Sequence, residues 1–192
     1  MREHLAEFFR SKMDIPHEVL TEICNHFEER KIEKNALFLE IGKISNEYAF
    51  LVEGYMRAYT FNTEGDEITT NIFCQKEIVI EPLSFFKRVP ARENIQAVSD
   101  CMYYSINFEN LNKLFHSVPA FRELGRSLLV GLLVEQKFRS LSIINDIAEQ
   151  RYEMLLQQKR EMFQHVPLKY IASYLGITDT SFSRIRREHS KK

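Results

Sequence analysis

The hydrophobic pattern changes period along the chain. Leu5, Phe8 and Phe9 sit at helical spacing, and Pro16 opens a second helix carrying Val19, Leu20, Ile23 and Phe27. This predicts helix from residue 1 to about residue 30. From Lys34 to Asn107 the pattern is that of strands. "NALFLEIG" and "YAFLVEGYMRAYTF" are rich in β-branched and aromatic residues. In the second, Tyr48, Phe50 and Val52 alternate with their neighbours, and Gly54 interrupts the run as a bend or bulge would. "NTEGDE" reads as a turn with "ITTNIF" as the returning strand, and short strands follow around "EIVI" and "NIQAVSDCMYYSI". Many short strands with polar turns predict a barrel or sandwich, not alternating βαβ units.

A long helix comes next, with Pro119 at its first turn. Phe121, Leu124, Leu128, Leu132 and Leu141 lie along one face, and Leu129, Val130, Leu133 and Val134 widen the stripe until two turns are apolar nearly all round. A helix that covers one core needs an apolar arc of only about 100°. The residues leave two arrangements open, complete burial within one chain or pairing with the same helix of a second subunit. We favour a homodimer with Leu124, Leu128 and Leu132 at its interface. Beyond it, Asp146 and Glu149 fit a capping box, and Tyr152, Leu155, Leu156, Lys159 and Phe163 trace one face. Pro167 then stops the helix, because it disfavours helical backbone at Val166.

Composition narrows the classes. With 44% hydrophobic and 12% aromatic residues, the 192-residue chain can bury a core. No uncharged apolar run approaches the roughly 18 residues of a membrane span, so no membrane partner is expected. Cys24, Cys74 and Cys101 are odd in number and widely spaced, which predicts buried free thiols, no metal site and a cytoplasmic setting. The net charge of −1 hides an asymmetry. Residues 151–192 hold nine Lys/Arg against four Asp/Glu, so the excess of acid lies entirely in residues 1–150. A polyanionic partner would therefore dock at the C-terminal end.

That end also has a shape. Taking Leu168 as the first position of a helix–turn–helix frame, the places where two crossed helices pack hold Ile171, Leu175, Ile177, Phe182 and Ile185. The place that must be small holds Ala172, and the sharp turn holds Gly176. Thr178 can cap the second helix. Chance amphipathic segments satisfy the apolar positions often, but seldom the Ala and Gly as well. The exposed residues of the second helix are Asp179, Thr180, Ser181, Ser183, Arg184, Arg186 and Arg187. Thr180, Ser183 and Arg184 are candidates for base edges; Thr178, Ser181, Arg186, Arg187 and Lys169 are candidates for the phosphate backbone of double-stranded DNA.

Short helices, a β-roll, a long apolar helix and a C-terminal helix–turn–helix together resemble the Crp/Fnr family of bacterial transcription regulators. The resemblance covers essentially the whole chain and rests most on "AEQRYEMLLQQ" leading into "VPLKYIASYLGITDTSFSRIRR", and on "FLVEGYMRAY". It implies an α+β fold: a cyclic nucleotide-binding-like β-roll sensor domain over residues 1–117, a dimerisation helix over 118–144 and a DNA-binding domain over 145–192. It further implies a homodimer on a palindromic site and, where such a protein activates transcription, contact with RNA polymerase.

Family members that bind cyclic nucleotides carry a Gly-Glu pair and, further on, an Arg before a small polar residue. In "VIEPLSFFKRVPARENIQAVS", Glu81 fits the ribose position, but Ile80 replaces the Gly and Pro82 removes an N–H. The Arg position falls on Ala91, with Arg92 one residue late. Glu81, Ser84 and Arg92 are the ligand candidates that remain, Arg88 and Arg92 read as solvated loop charges, and no cyclic nucleotide is expected in the family manner. Only Cys24 lies where an iron–sulfur cluster needs clustered cysteines, and His4, His17 and His26 read as surface residues, so no cofactor is expected. A metal-dependent enzyme on such a roll needs histidines on its strands; residues 34–107 have none, and no catalytic residue is assigned. A non-DNA interaction module using the roll and long helix is the alternative.

Overall fold

The computed structural model describes residues 2–189. Met1 and residues 190–192, which include the basic Lys191 and Lys192, lie outside the described residues. Helices α1 (Glu3–Lys12) and α2 (His17–Asn25) form where the apolar spacing puts them, with Pro16 as the N-cap of α2. The strands are β1 (Glu28–Ile32), β2 (Leu37–Leu39), β3 (Glu47–Glu53), β4 (Met56–Phe61), β5 (Glu67–Phe73), β6 (Ile78–Val79), β7 (Asn94–Ala97) and β8 (Cys101–Asn107). They build two four-stranded antiparallel sheets, ordered β1-β8-β3-β6 and β2-β7-β4-β5. This is the expected sandwich.

The first sheet is covered on both faces. Ala49 and Leu51 of β3, and Tyr103 of β8, enter the layer between the sheets. Phe50 and Val52, with Tyr104 and Ile106, enter a second layer beneath the helices. Alternate residues of a strand point to opposite faces, so a doubly covered strand reads as an unbroken apolar run. Gly54 sits between β3 and β4 with φ +92°, and a Cβ there would lie 2.4 Å from the Asp100 carbonyl oxygen. Only glycine allows the two chains to pass this closely.

The structure corrects three sequence expectations. Helix does not run to residue 30: β1 begins at Glu28 and pairs Glu28 with Ser105 through Ile32 with Cys101. "EERKI" is an edge strand of exposed charged residues, so backbone pairing to β8 defines it and side-chain pattern does not. The stretch after β6, read as loop, contains α3 (Pro82–Lys87), and α4 (Phe108–Ser117) follows β8. Glu81 and Asn107 cap them by accepting the N–H groups of Ser84 and Asn110. Six residues behind a proline carry no readable period. Finally, Asp146 does not cap the next helix. It follows α5 (Pro119–Asn145), and α6 (Ala148–Gln158) starts two residues later, with Gln150 Oε1 accepting the Ile147 N–H at 3.0 Å.

Helix α5 is the spine. Phe121 and Leu124 are buried with Leu5, Phe9, Leu111 and Leu114, and the Phe9 ring meets those of Phe27 and Phe121 at 5.8 and 6.3 Å. Further along, α5 leaves the roll, and its outer face stays uncovered: Leu133 and Phe138 are each 70% exposed and Ile144 is 76% exposed. No helix among the described residues is long and apolar enough to cross a membrane.

Gly54→Ala tests the close approach between Gly54 and Asp100. It combines a strained φ with a clash against backbone, so it should remove about 1–3 kcal/mol of stability in urea unfolding. An unchanged midpoint would mean that this corner yields at no cost.

Candidate functional site

The C-terminal unit follows α6 as a single-turn helix α7 (Met162–His165), α8 (Leu168–Tyr174) and α9 (Asp179–His189). Ile171, Ala172, Leu175, Phe182 and Ile185 are buried where α8 and α9 cross, and Ile177 is half-buried beside them. Gly176 has φ +68°, the left-handed backbone that the tight turn needs. Thr178 Oγ1 accepts the Ser181 N–H at 3.2 Å, as a helix N-cap does. Under this pair lies an aromatic cluster in which Tyr152 meets Phe163 and Phe182 edge to face at 5.5 and 5.8 Å.

The named polar residues are exposed with one exception. Thr178, Asp179, Thr180, Ser183, Arg184, Arg186 and Arg187 are exposed, and so is Lys169 on α8. Ser181 is half-buried, its hydroxyl 3.1 Å from that of Thr178. Arg184 lies 3.5 Å from Glu149 and 3.9 Å from Glu188. Exposed pairs of this kind are worth up to about 1 kcal/mol, so they leave the guanidinium available to a stronger partner.

Sequence reading missed how this unit is fastened to the roll. Arg57 of β4 is 2% exposed, with its guanidinium 4.1 Å from the Tyr59 ring and 3.6 Å from the Tyr170 ring of α8. It donates to Gln96 Oε1 and to Glu67, which keeps its charge satisfied. The Thr69 N–H donates to Ser173 Oγ at 2.9 Å. Arg139 of α5 donates to the Thr70 and Tyr174 carbonyls, joining roll, spine and α8. Lys159 pairs with Glu77 at 2.7 Å, and Tyr55 stacks on His165 at 5.2 Å. An arginine in an alternating strand reads as solvent-facing, so no sequence signal marked Arg57.

Of the proposed ligand residues, Glu81 and Ser84 meet, but each is engaged within the chain, and Arg92 faces solvent. Glu81 caps α3, its carboxylate accepting the Ser84 N–H at 2.5 Å. Ser84 is wholly buried; its hydroxyl donates to the Val89 carbonyl and accepts the Ser45 N–H. Arg92 is exposed, and its carbonyl accepts the Thr60 hydroxyl. Ala91 belongs to the core between the sheets. Arg88 is not a solvated loop charge: it follows α3 with φ +56°, donates to the Ser45 carbonyl and Asn46 Oδ1, and lies 4.2 Å from the Phe108 ring.

The dimer candidates separate. Leu124 is fully buried in its own chain, Leu128 is half-buried against the same core and Leu132 is half-buried. The outward face of α5 carries Leu129, Val130, Leu133, Val134, Phe138 and Leu141 instead. Between α5 and the roll lies a cavity of about 700 Å³. Cys24 and Cys101 are buried and Cys74 half-buried, all three free. Burial pushes the Cys24 thiol up to about 11 and that of Cys74 to about 12, so both stay protonated at neutral pH. His4, His17 and His26 are exposed, and no three His, Cys, Asp or Glu residues converge as metal ligands among the described residues.

The sandwich with its covering helices is the architecture of a cyclic nucleotide-binding domain, and residues 29–118 match the family model of that name. Over nearly the full length, the fold is similar to FixK2 from Bradyrhizobium japonicum (TM-score 0.72, 19% identity, covering 86% of this chain and 85% of that one). It is also similar to the c-di-GMP responsive global regulator CLP of Xanthomonas campestris (TM-score 0.65, 12% identity, 92% of both chains). A third similar structure is the Thermus thermophilus catabolite activator protein (TM-score 0.58, 15% identity, 96% of this chain and 87% of that one). No curated protein sequence matches the chain. At these identities the likeness is one of fold. The residues fit a cyclic nucleotide poorly: the carboxylate that would take the ribose caps a helix, and no arginine stands at Ala91 to neutralise a phosphate.

Arg57→Ala tests the fastening. It removes a buried guanidinium between two rings and lets Glu67 rehydrate, and should lower stability by about 1–3 kcal/mol. Hydrogen exchange in α8 should quicken more than in β3. Equal changes in both would show that Arg57 serves the roll alone.

Proposed function

We propose that the protein is a homodimeric, sequence-specific DNA-binding transcription regulator of the Crp/Fnr type, and not an enzyme. The observation that carries this reading is the α8–turn–α9 pair, whose packed residues lie inward while Thr178, Thr180, Ser183 and the arginines are exposed. The N-terminal turns of α9 enter the major groove, where Thr180, Ser183 and Arg184 read base edges. Thr178, Ser181, Arg186, Arg187 and Lys169 hold phosphates, and Asp179 sits at the first helical position beside them. The regulator roles named for CLP and the catabolite activator protein support the assignment to transcription. Contact with RNA polymerase belongs to the same reading wherever the protein activates.

A palindromic site needs two recognition helices in fixed relation, and the outer face of α5 supplies the joint. Paired α5 helices would cover Leu129, Val130, Leu133, Val134, Phe138 and Leu141. This moves the interface around the helix from Leu124, whose side chain is already committed to the core. Selection of bound sequences from random duplex DNA tests the whole reading: it should return a two-fold symmetric site. Recovery of no preferred sequence, with binding that ignores salt, would favour the protein-interaction module.

Two variants divide the roles on α9. Arg184→Ala should cost about 1–3 kcal/mol on the selected site and relax one base position in each half. Arg187→Ala should weaken binding to all sequences alike and lower the salt slope by about 1. Identical behaviour of the two on selected and random duplexes would refute this division.

The joint is tested by Leu133→Asp combined with Phe138→Asp. Both positions are exposed within one chain, so the fold should survive. Light scattering should show a monomer where the unmodified protein is a dimer, and half-site cooperation on DNA should vanish. Monomeric unmodified protein at micromolar concentration would remove the dimer from the proposal.

A further inference from the structure

The cavity between α5 and the roll has its own chemistry. Phe8, Tyr48, Phe73, Phe86 and Phe115 line it with rings, and Leu128 and Leu132 of α5 add aliphatic wall. Its charged lining residues are Lys12, Lys76, Lys159, Glu77, Glu93 and Glu135. Lys159 and Glu77 neutralise each other at 2.7 Å. Lys12, Lys76 and Glu135 are exposed, so water screens them, and Lys12 also lies over the Phe8 ring at 5.5 Å. Glu93 is left as the withdrawn charge. Its carboxylate accepts the Thr70 hydroxyl at 2.5 Å, and burial pushes it above the usual carboxylate range. The nearby Arg139 pulls the other way more weakly, and it donates to the Thr70 and Tyr174 carbonyls.

We propose that this cavity binds an organic cation, a protonated amine on an apolar body, with the ammonium against Glu93 and the body against the rings. Three effects point the same way. A partly desolvated carboxylate gains from an opposite charge what it has lost from water. Aromatic faces attract a cation placed within about 6 Å. A concave site lined by rings and aliphatic side chains, with a few polar groups among them, is the usual form of a small-molecule site. An anion meets the reverse of the first two, since Glu93 and the ring faces both repel it. The site therefore inverts the charge preference that a cyclic nucleotide requires.

The test uses probes that share one body and differ in charge: phenethylamine, phenethyl alcohol and phenylacetate, with cyclic AMP alongside, each at millimolar concentration with the full chain. Phenethylamine should raise Tm by about 3 °C, and the other three should leave it nearly unchanged. Glu93→Gln keeps an acceptor for the Thr70 hydroxyl but removes the charge. It should weaken phenethylamine binding by about tenfold, to the level of the alcohol. Should that variant fail to fold, the charge series on the unmodified protein still decides. No shift with phenethylamine, or an equal or larger shift with phenylacetate or cyclic AMP, would overturn the proposal. Melting involves no DNA, so this outcome is independent of the DNA-binding reading.

Discussion

The architecture hangs on one helix with too much apolar surface for a single partner. At about 3.6 residues per turn, Phe121, Leu124 and Leu128 fall on one side of α5 and Val130, Leu133 and Val134 on the other. The first side completes the core that α1, α2 and α4 share with the sandwich. The second stays largely exposed among the described residues. Such a helix cannot simply lie on a domain, because half its hydrophobic surface would face water. It must extend the fold outward, and it does so where it leaves the roll to carry α6 through α9.

The C-terminal unit is held differently. Where α5 and the roll join by apolar packing, α8 meets β5 through Arg57, Arg139 and the Thr69 N–H, with Tyr170 and Tyr174 as platforms. Apolar packing lies beneath these contacts: Tyr55, Ile72 and Val98 of the roll are buried in one cluster with Tyr152, Leu155, Val166 and Ile171. The aromatic core around Tyr152 and Phe182 is continuous with that cluster. Directional polar contacts thus fix the orientation of a unit that burial already holds against the roll.

Legibility in the sequence followed the same division. Period-2 and helical patterns located the sandwich, α5 and the α8–α9 turn, because burial there is periodic and Gly176 and Thr178 have strict local roles. Features whose cause lies elsewhere in the chain were not legible. Edge strand β1 exists through its partner β8, and α3 has too few residues for a period. Arg57 is covered in part by Tyr170, far along the chain. The same limit applies to α5: an all-round apolar pattern does not say that Leu124 enters the chain's own core while Leu133 stays exposed.

Fold and ligand chemistry are separable here for a physical reason. The sandwich is specified by many small apolar contributions, none decisive, so it tolerates the low identities at which its relatives share it. Recognition of a charged ligand rests on two or three groups in a desolvated place, where one reversed charge outweighs all the apolar contacts of the wall. In this chain Ala91 has joined the core, Arg92 is outside, and Glu93 lines the cavity. Three consecutive residues thus leave the roll intact and reverse what it can hold. Thr70 ties that position to the seat of α8: its hydroxyl donates to Glu93, while its carbonyl accepts from Arg139, which also donates to Tyr174. A charge brought to Glu93 acts on the same residue that helps fix the C-terminal unit, so occupancy and seating share one hydrogen-bonded node.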